Sequence, residues 1–132
     1  MNFITGNSGA DTFVFDQNSS TNTSTILNFS SANADKIGLD TAGNSTLTGN
    51  TYDLGGAALV DGTNLKGVAD AATRFTQAVS TGGKGGFVYE QDTGELYYSG
   101  NGNFSGGGTL IGIVTTNGTT PWIYDSTKFI QV

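Results

Sequence analysis

Gly85-Gly86-Phe87-Val88-Tyr89-Glu90-Gln91-Asp92-Thr93-Gly94-Glu95-Leu96-Tyr97-Tyr98 decides the fold class. Two runs rich in aromatic and β-branched residues flank a polar turn closed by glycine, the pattern of a β-hairpin. Asp92 and Thr93 suit the centre of a type I turn, and Gly94 suits the left-handed residue that lets the second strand rejoin the ladder. Side chains alternate along a strand, so Phe87 and Tyr89 share one face while Val88 and Glu90 share the other. A polar linker from Ser99 to Gly108 leads to Thr109-Leu110-Ile111-Gly112-Ile113-Val114, apolar enough for a central, doubly covered strand. The reading is a three-strand meander.

Composition points the same way. The chain has 132 residues, 36% of them hydrophobic, with eight Phe, five Tyr and one Trp, so a single domain with a core of few, large side chains is expected. Glycine occurs 21 times and only 12% of residues are charged, which favours strands and turns over helices. The net charge of −6, with basic residues scattered at Lys36, Lys66, Arg74, Lys84 and Lys128, argues against nucleic acid as a partner. No apolar run approaches the ~20 residues that a membrane-spanning helix needs, so no membrane insertion is expected. The first residues lack the basic-then-apolar layout of a cleavable leader, so an export address is expected elsewhere.

One helix is expected near residues 68–79, where Val68, Ala71, Ala72, Phe75 and Val79 fall at helical spacing, with Gly82-Gly83 ending it. Thr51-Tyr52-Asp53-Leu54 reads as a short strand, while 17–23 and 40–50 read as turn and loop. Ile26, Phe29, Ile37 and Leu39 are core candidates.

At the N-terminus, Gly6-Asn7-Ser8-Gly9-Ala10-Asp11-Thr12-Phe13-Val14 matches the nonapeptide G-G-x-G-x-D-x-U-x at every fixed position except Asn7. Asn2-Phe3-Ile4-Thr5 looks like the tail of a preceding repeat. With the meander motif Val88-Tyr89-x-x-x-Thr93-Gly94-x-Leu96-x-Tyr98, and with Asp35-x-Ile37-x-Leu39, the chain resembles the C-terminal module of RTX proteins. Those are calcium-binding, type I-secreted bacterial proteins that include serralysin-type proteases, lipases and large adhesins. The resemblance covers the first 15 residues, roughly 24–39, 86–114, and the last few.

The resemblance implies an all-β fold with one short helix. Residues 1–15 would form the last β-roll turn, and residues 16–132 an antiparallel, β-sandwich-like cap. It implies a calcium site on Gly6, Ser8, Ala10 and Asp11, incomplete in this chain because each ion in a roll takes ligands from stacked repeats. It further implies a secreted or cell-surface location, an upstream β-roll as partner, and a type I (ABC) secretion apparatus that reads an uncleaved signal ending in Phe129, Ile130 and Val132. This chain departs from the family where carboxylates are usual: Ser24 and Asn28 stand at two acidic positions, and Ser99-Gly100-Asn101-Gly102 replaces an acidic D-x-D-G loop.

Two other classes bear on the sequence. Exposed aromatics, with Tyr97, Trp122 and Tyr124 foremost, would suit a carbohydrate platform on an adhesin. An enzyme is not expected: the chain has no His and no Cys, which removes Ser-His-Asp triads, Cys nucleophiles and the common zinc sites. Paired carboxylates remain, and Glu90 and Glu95 flank one turn, where solvent-facing roles are expected. Gly82-Gly83-Lys84-Gly85-Gly86 lacks the spacing and hydroxyl of a phosphate loop.

Overall fold

The computed structural model describes residues 2–15, 23–41 and 52–132. It is all-β, built on two sheets. Strands β1 (Asn2–Ile4), β2 (Thr12–Phe15), β3 (Ser24–Ile26) and β4 (Lys36–Leu39) come first. After them come β5 (Leu65–Val68), α1 (Ala71–Arg74), β6 (Gly86–Glu90), β7 (Glu95–Ser99), β8 (Thr109–Val114) and β9 (Phe129–Gln131). The larger sheet has the order β1-β3-β8-β7-β6-β5, and the smaller β2-β4-β9.

The first four strands alternate between the sheets. Of these, strands two apart in sequence share a sheet and lie parallel to one another. β1 pairs with β3 and β2 with β4 in parallel, and β8 and β9 then pair in parallel with β3 and β4. The pairs β1–β2, β3–β4 and β8–β9 are therefore three stacked coils of a two-sheet roll. The meander expected over 87–114 is present, with β6–β7 and β7–β8 antiparallel.

The cap was expected to be antiparallel. Instead the antiparallel ladders are those two alone among the described residues, and the other five are parallel. Period-2 alternation looks the same for either direction, so the pattern could not separate them.

Inside the roll, side chains form rungs. Phe13, Ile37 and Phe129 are aligned across the small sheet, and Ile4, Ile26 and Val114 across the large one. Phe15 fills the gap between sheets because Gly112, aligned with Ser24, has no side chain; a Cβ there would meet the Phe15 ring. Ile26, Phe29, Ile37 and Leu39 are all buried, as their pattern indicates. The rings of Phe29, Tyr89, Trp122 and Phe129 interlock in tilted and edge-on pairs with centroids 4.8–5.9 Å apart, the geometry that aromatic quadrupoles favour.

A second, smaller core lies on the outer face of the large sheet, where Val68, Val79, Val88, Phe104 and Tyr97 pack. Phe87 and Tyr89 face the main core and Val88 the second, which bears out the alternation expected for β6. Gly94 has φ +76° and its N–H donates to the Glu90 carbonyl at 2.9 Å, closing the hairpin.

The helix expected over 68–79 shrinks to the single turn α1. Asp70 caps it by accepting the Thr73 N–H, and the chain leaves the helix after Arg74. Val68 belongs to β5, aligned with Glu90. Val68 and Val79 do pack on one core, but from a strand and a loop rather than one helix face. Tyr52 to Leu54 form no strand, although the side chains of Tyr52 and Leu54 are buried; Thr51, most of the 40–50 loop and residues 17–22 lie outside the described residues.

Candidate functional site

Two features meet at the N-terminal end of the roll. One is a pair of open edges: β1 borders the large sheet and β2 the small one, each partnered on one side only among the described residues. Apolar side chains stand on both, with Phe3 67% and Val14 47% exposed. The other is the turn from Thr5 to Asp11 that joins these strands.

The glycines explain the turn's path. Gly9 takes φ +107°, a left-handed conformation that costs glycine little. Gly6 has Asp11 Oδ2 packed against its Cα side, so a Cβ there would collide with that oxygen and with the Phe13 ring. Ser8 and Ala10 are exposed on the rim, and Asp11 is half-buried.

The turn rests on its counterpart in the second coil, residues 27–35. Asn28 grips Gly6 with both ends of its carboxamide: Oδ1 accepts the Gly6 N–H at 2.9 Å, and Nδ2 donates to the Gly6 carbonyl at 2.9 Å. Asp35 is 2% exposed, its Oδ1 accepting the Asp11 N–H at 3.1 Å and its Oδ2 the Ser30 N–H at 2.9 Å. Backbone bonds from Leu27 N–H to the Ile4 carbonyl and from Lys36 N–H to the Asp11 carbonyl, 2.9 and 2.8 Å, flank these contacts.

Set against the needs of calcium, which takes six to eight oxygens, the first turn fits half a site. Asp11 Oδ2 is buried without a hydrogen-bond partner, an orphaned anionic oxygen of the kind a cation satisfies. Asp35 uses both its oxygens to accept backbone N–H groups, from Asp11 and from Ser30. Among the described residues no three His, Cys, Asp or Glu side chains gather in one place.

The other singled-out residues do not converge. Trp122 is only 4% exposed, wedged among Phe29, Tyr89 and Phe129, with Nε1 donating to Ser31 Oγ at 3.0 Å. Tyr124 stacks on Tyr89 and donates to Asp61 Oδ1 at 2.6 Å. Tyr97 lies on the opposite, outer face of the large sheet beneath Arg74. The three rings singled out for the alternative sugar-platform reading therefore do not share one face: Trp122 is buried, and Tyr97 and Tyr124 are half-buried on opposite sides of the large sheet.

A hollow of about 470 Å³ lies beside Trp122, lined by Phe29, Ser31, Thr116 and the exposed Ile123 among others, with no charged side chain in its lining. At the C-terminus, Phe129 is in the core, Ile130 is half-buried, and Val132 is exposed, its N–H donating to the Leu39 carbonyl at 3.0 Å.

Glu90 overturns its expected solvent-facing role. It is buried and paired with Arg74, while Glu95, half-buried, accepts the Tyr97 hydroxyl. Burial pushes the Glu90 carboxyl above its ordinary value and the Arg74 hydrogen bond works against that rise. Neither the Arg74–Glu90 pair nor the Asn28 grip was anticipated. For Asn28 the signal was its position, an amide where the resemblance has a carboxylate.

Among the described residues no helix is long and apolar enough to cross a membrane. Comparison with protein-family models, with curated proteins and with solved structures returned no match.

Proposed function

We propose that this chain is a non-catalytic end module of an exported RTX-type protein. It would close one end of a calcium-binding β-roll and carry, in its terminal run Phe129-Ile130-Gln131-Val132, the address read by a type I secretion apparatus. The observation that carries the capping half is the pair of open edges. β1 and β2 sit at the same end of a two-sheet parallel roll, where a further coil can add by the same parallel pairing that joins β1 to β3 and β2 to β4. Open edges invite such pairing, and Phe3 and Val14 would be covered by it. The unspent Asp11 Oδ2 would then enter a calcium site shared with the added coil. The secretion half is supported by the sequence resemblance of the terminus alone.

The test is to fuse glycine- and aspartate-rich nonapeptide repeats ahead of this chain and to follow their calcium-induced folding by circular dichroism. A capped block should fold at lower calcium than the repeats alone. Equal midpoints would remove the capping reading. Export is tested separately, by fusing the C-terminal segment from Thr73 to Val132 to a reporter in a host with an ABC exporter that accepts related cargo.

A further inference from the structure

We infer that the joint between the first and second coils is held by the Asn28 carboxamide and is independent of calcium. The argument turns on donors and acceptors. A carboxamide offers one of each, so it can satisfy the N–H and the C=O of Gly6 at once, and does so at 2.9 Å on both sides. A carboxylate offers acceptors only. At position 28 it would keep the Gly6 N–H but set an anionic oxygen against the Gly6 carbonyl. Asp11 Oδ2 already packs against Gly6 without a partner. Two oxygens would then face each other with no hydrogen between them, beside a glycine that Asp11 Oδ2 already flanks, an arrangement that a bound cation relieves.

Asp35 closes the other half of the joint in the same way. Its two oxygens accept N–H groups from the two turns it bridges, Asp11 and Ser30, so each already has a partner within the chain. The joint between the second and third coils is likewise made by protein groups. Thr115 N–H and Oγ1 both donate to the Ile26 carbonyl, at 3.0 and 2.7 Å, and Phe29 N–H donates to the Thr115 carbonyl at 2.9 Å. Asp11 Oδ2 is left without a partner, while both joints between the coils are closed by protein groups.

The inference concerns contacts within this chain, so it stands or falls whatever stacks on β1 and β2, and its failure is distinguishable from failure of the capping reading. Thermal unfolding of the full chain is followed by circular dichroism in chelator and in millimolar calcium, for the parent and for Asn28→Asp. The parent midpoint should be the same in both solutions. Asn28→Asp should melt roughly 5 °C or more lower in chelator, and calcium should restore at least half of the loss.

A parent midpoint that climbs by several degrees with calcium, or an Asn28→Asp chain indifferent to calcium, overturns the inference. Should Asn28→Asp fail to fold, amide exchange of Gly6 in the parent decides. Equal protection in calcium and chelator supports an amide-held joint, and exchange about tenfold faster in chelator refutes it.

Discussion

Arg74 Nε donates to Glu90 Oε2 at 2.6 Å, with the two side chains 8% and 3% exposed, so the turn α1 is tied to β6 by a buried ion pair. The guanidinium lies 3.7 Å from the Tyr97 ring centroid and 4.7 Å from that of Phe75, and its Nη1 donates to the Gly107 carbonyl. One side chain thus binds together helix, hairpin and the loop before β8. A planar, always-charged fork suits that role in a way lysine does not.

Because each charge is compensated chiefly by the other, losing both should cost less than the two single losses added together. Arg74→Met and Glu90→Leu are each expected to cost about 3–5 kcal/mol, and the double substitution clearly less than the sum. Urea unfolding of the four chains checks this. Strict additivity would mean that the pair is not energetically coupled.

Gly86 is the glycine least open to change. A Cβ there would run into the Val79 carbonyl oxygen, whose residue is held by its own N–H donating to the Gly102 carbonyl at 2.7 Å. Gly86→Ala should cost about 3 kcal/mol or more, since backbone rather than a pliant side chain must yield. Gly100 and Gly106 face open space and carry no positive φ, so alanine at either should be neutral or should stabilise by up to ~1 kcal/mol through the unfolded chain. Denaturant midpoints of the three variants separate the cases.

The fold should be labile to alkali. Burial is the leading cause that raises the Tyr89, Tyr97, Tyr98 and Tyr124 hydroxyls above their ordinary value, with Asp61 adding to it at Tyr124 and Glu95 at Tyr97. A group whose folded value is raised contributes stability that is complete below its unfolded value, near ~10 for tyrosine, and lost as pH climbs toward the folded one. Tyrosinate absorbance should therefore rise together with loss of the β signal above about pH 10. Independent titration of these four tyrosines with the fold intact would contradict the burial described.

Trp122, the chain's one tryptophan, should emit as a buried indole and resist quenching by iodide. Saccharides should leave its emission unchanged, since Phe29, Tyr89 and Phe129 already occupy its surroundings. Sugar-dependent quenching would restore the platform that the packing excludes.

Local chemistry was enough to establish the hairpin. Alternation placed Phe87 and Tyr89 inward, and Gly94 took the positive φ its turn requires. The same holds for the inward set Ile26, Phe29, Ile37 and Leu39, and for the glycine-rich turn at Gly6 to Asp11. These depend on neighbours a few residues apart, and periodicity and backbone freedom record such neighbours directly.

Strand direction, the length of α1 and the fate of the polar groups were decided only by the tertiary structure. Whether β3 runs with or against β1 depends on which sheet the intervening turn delivers the chain to, and alternation is blind to that. The helical spacing across 68–79 arose from two segments, β5 and the stretch after α1, meeting one small core. Glu90 left solvent because Arg74, 16 residues away in the chain, came to meet it, and Asn28 holds Gly6 across 22 residues. Ion pairs and amide grips of that kind are set by distance in space, for which a linear pattern carries no coordinate.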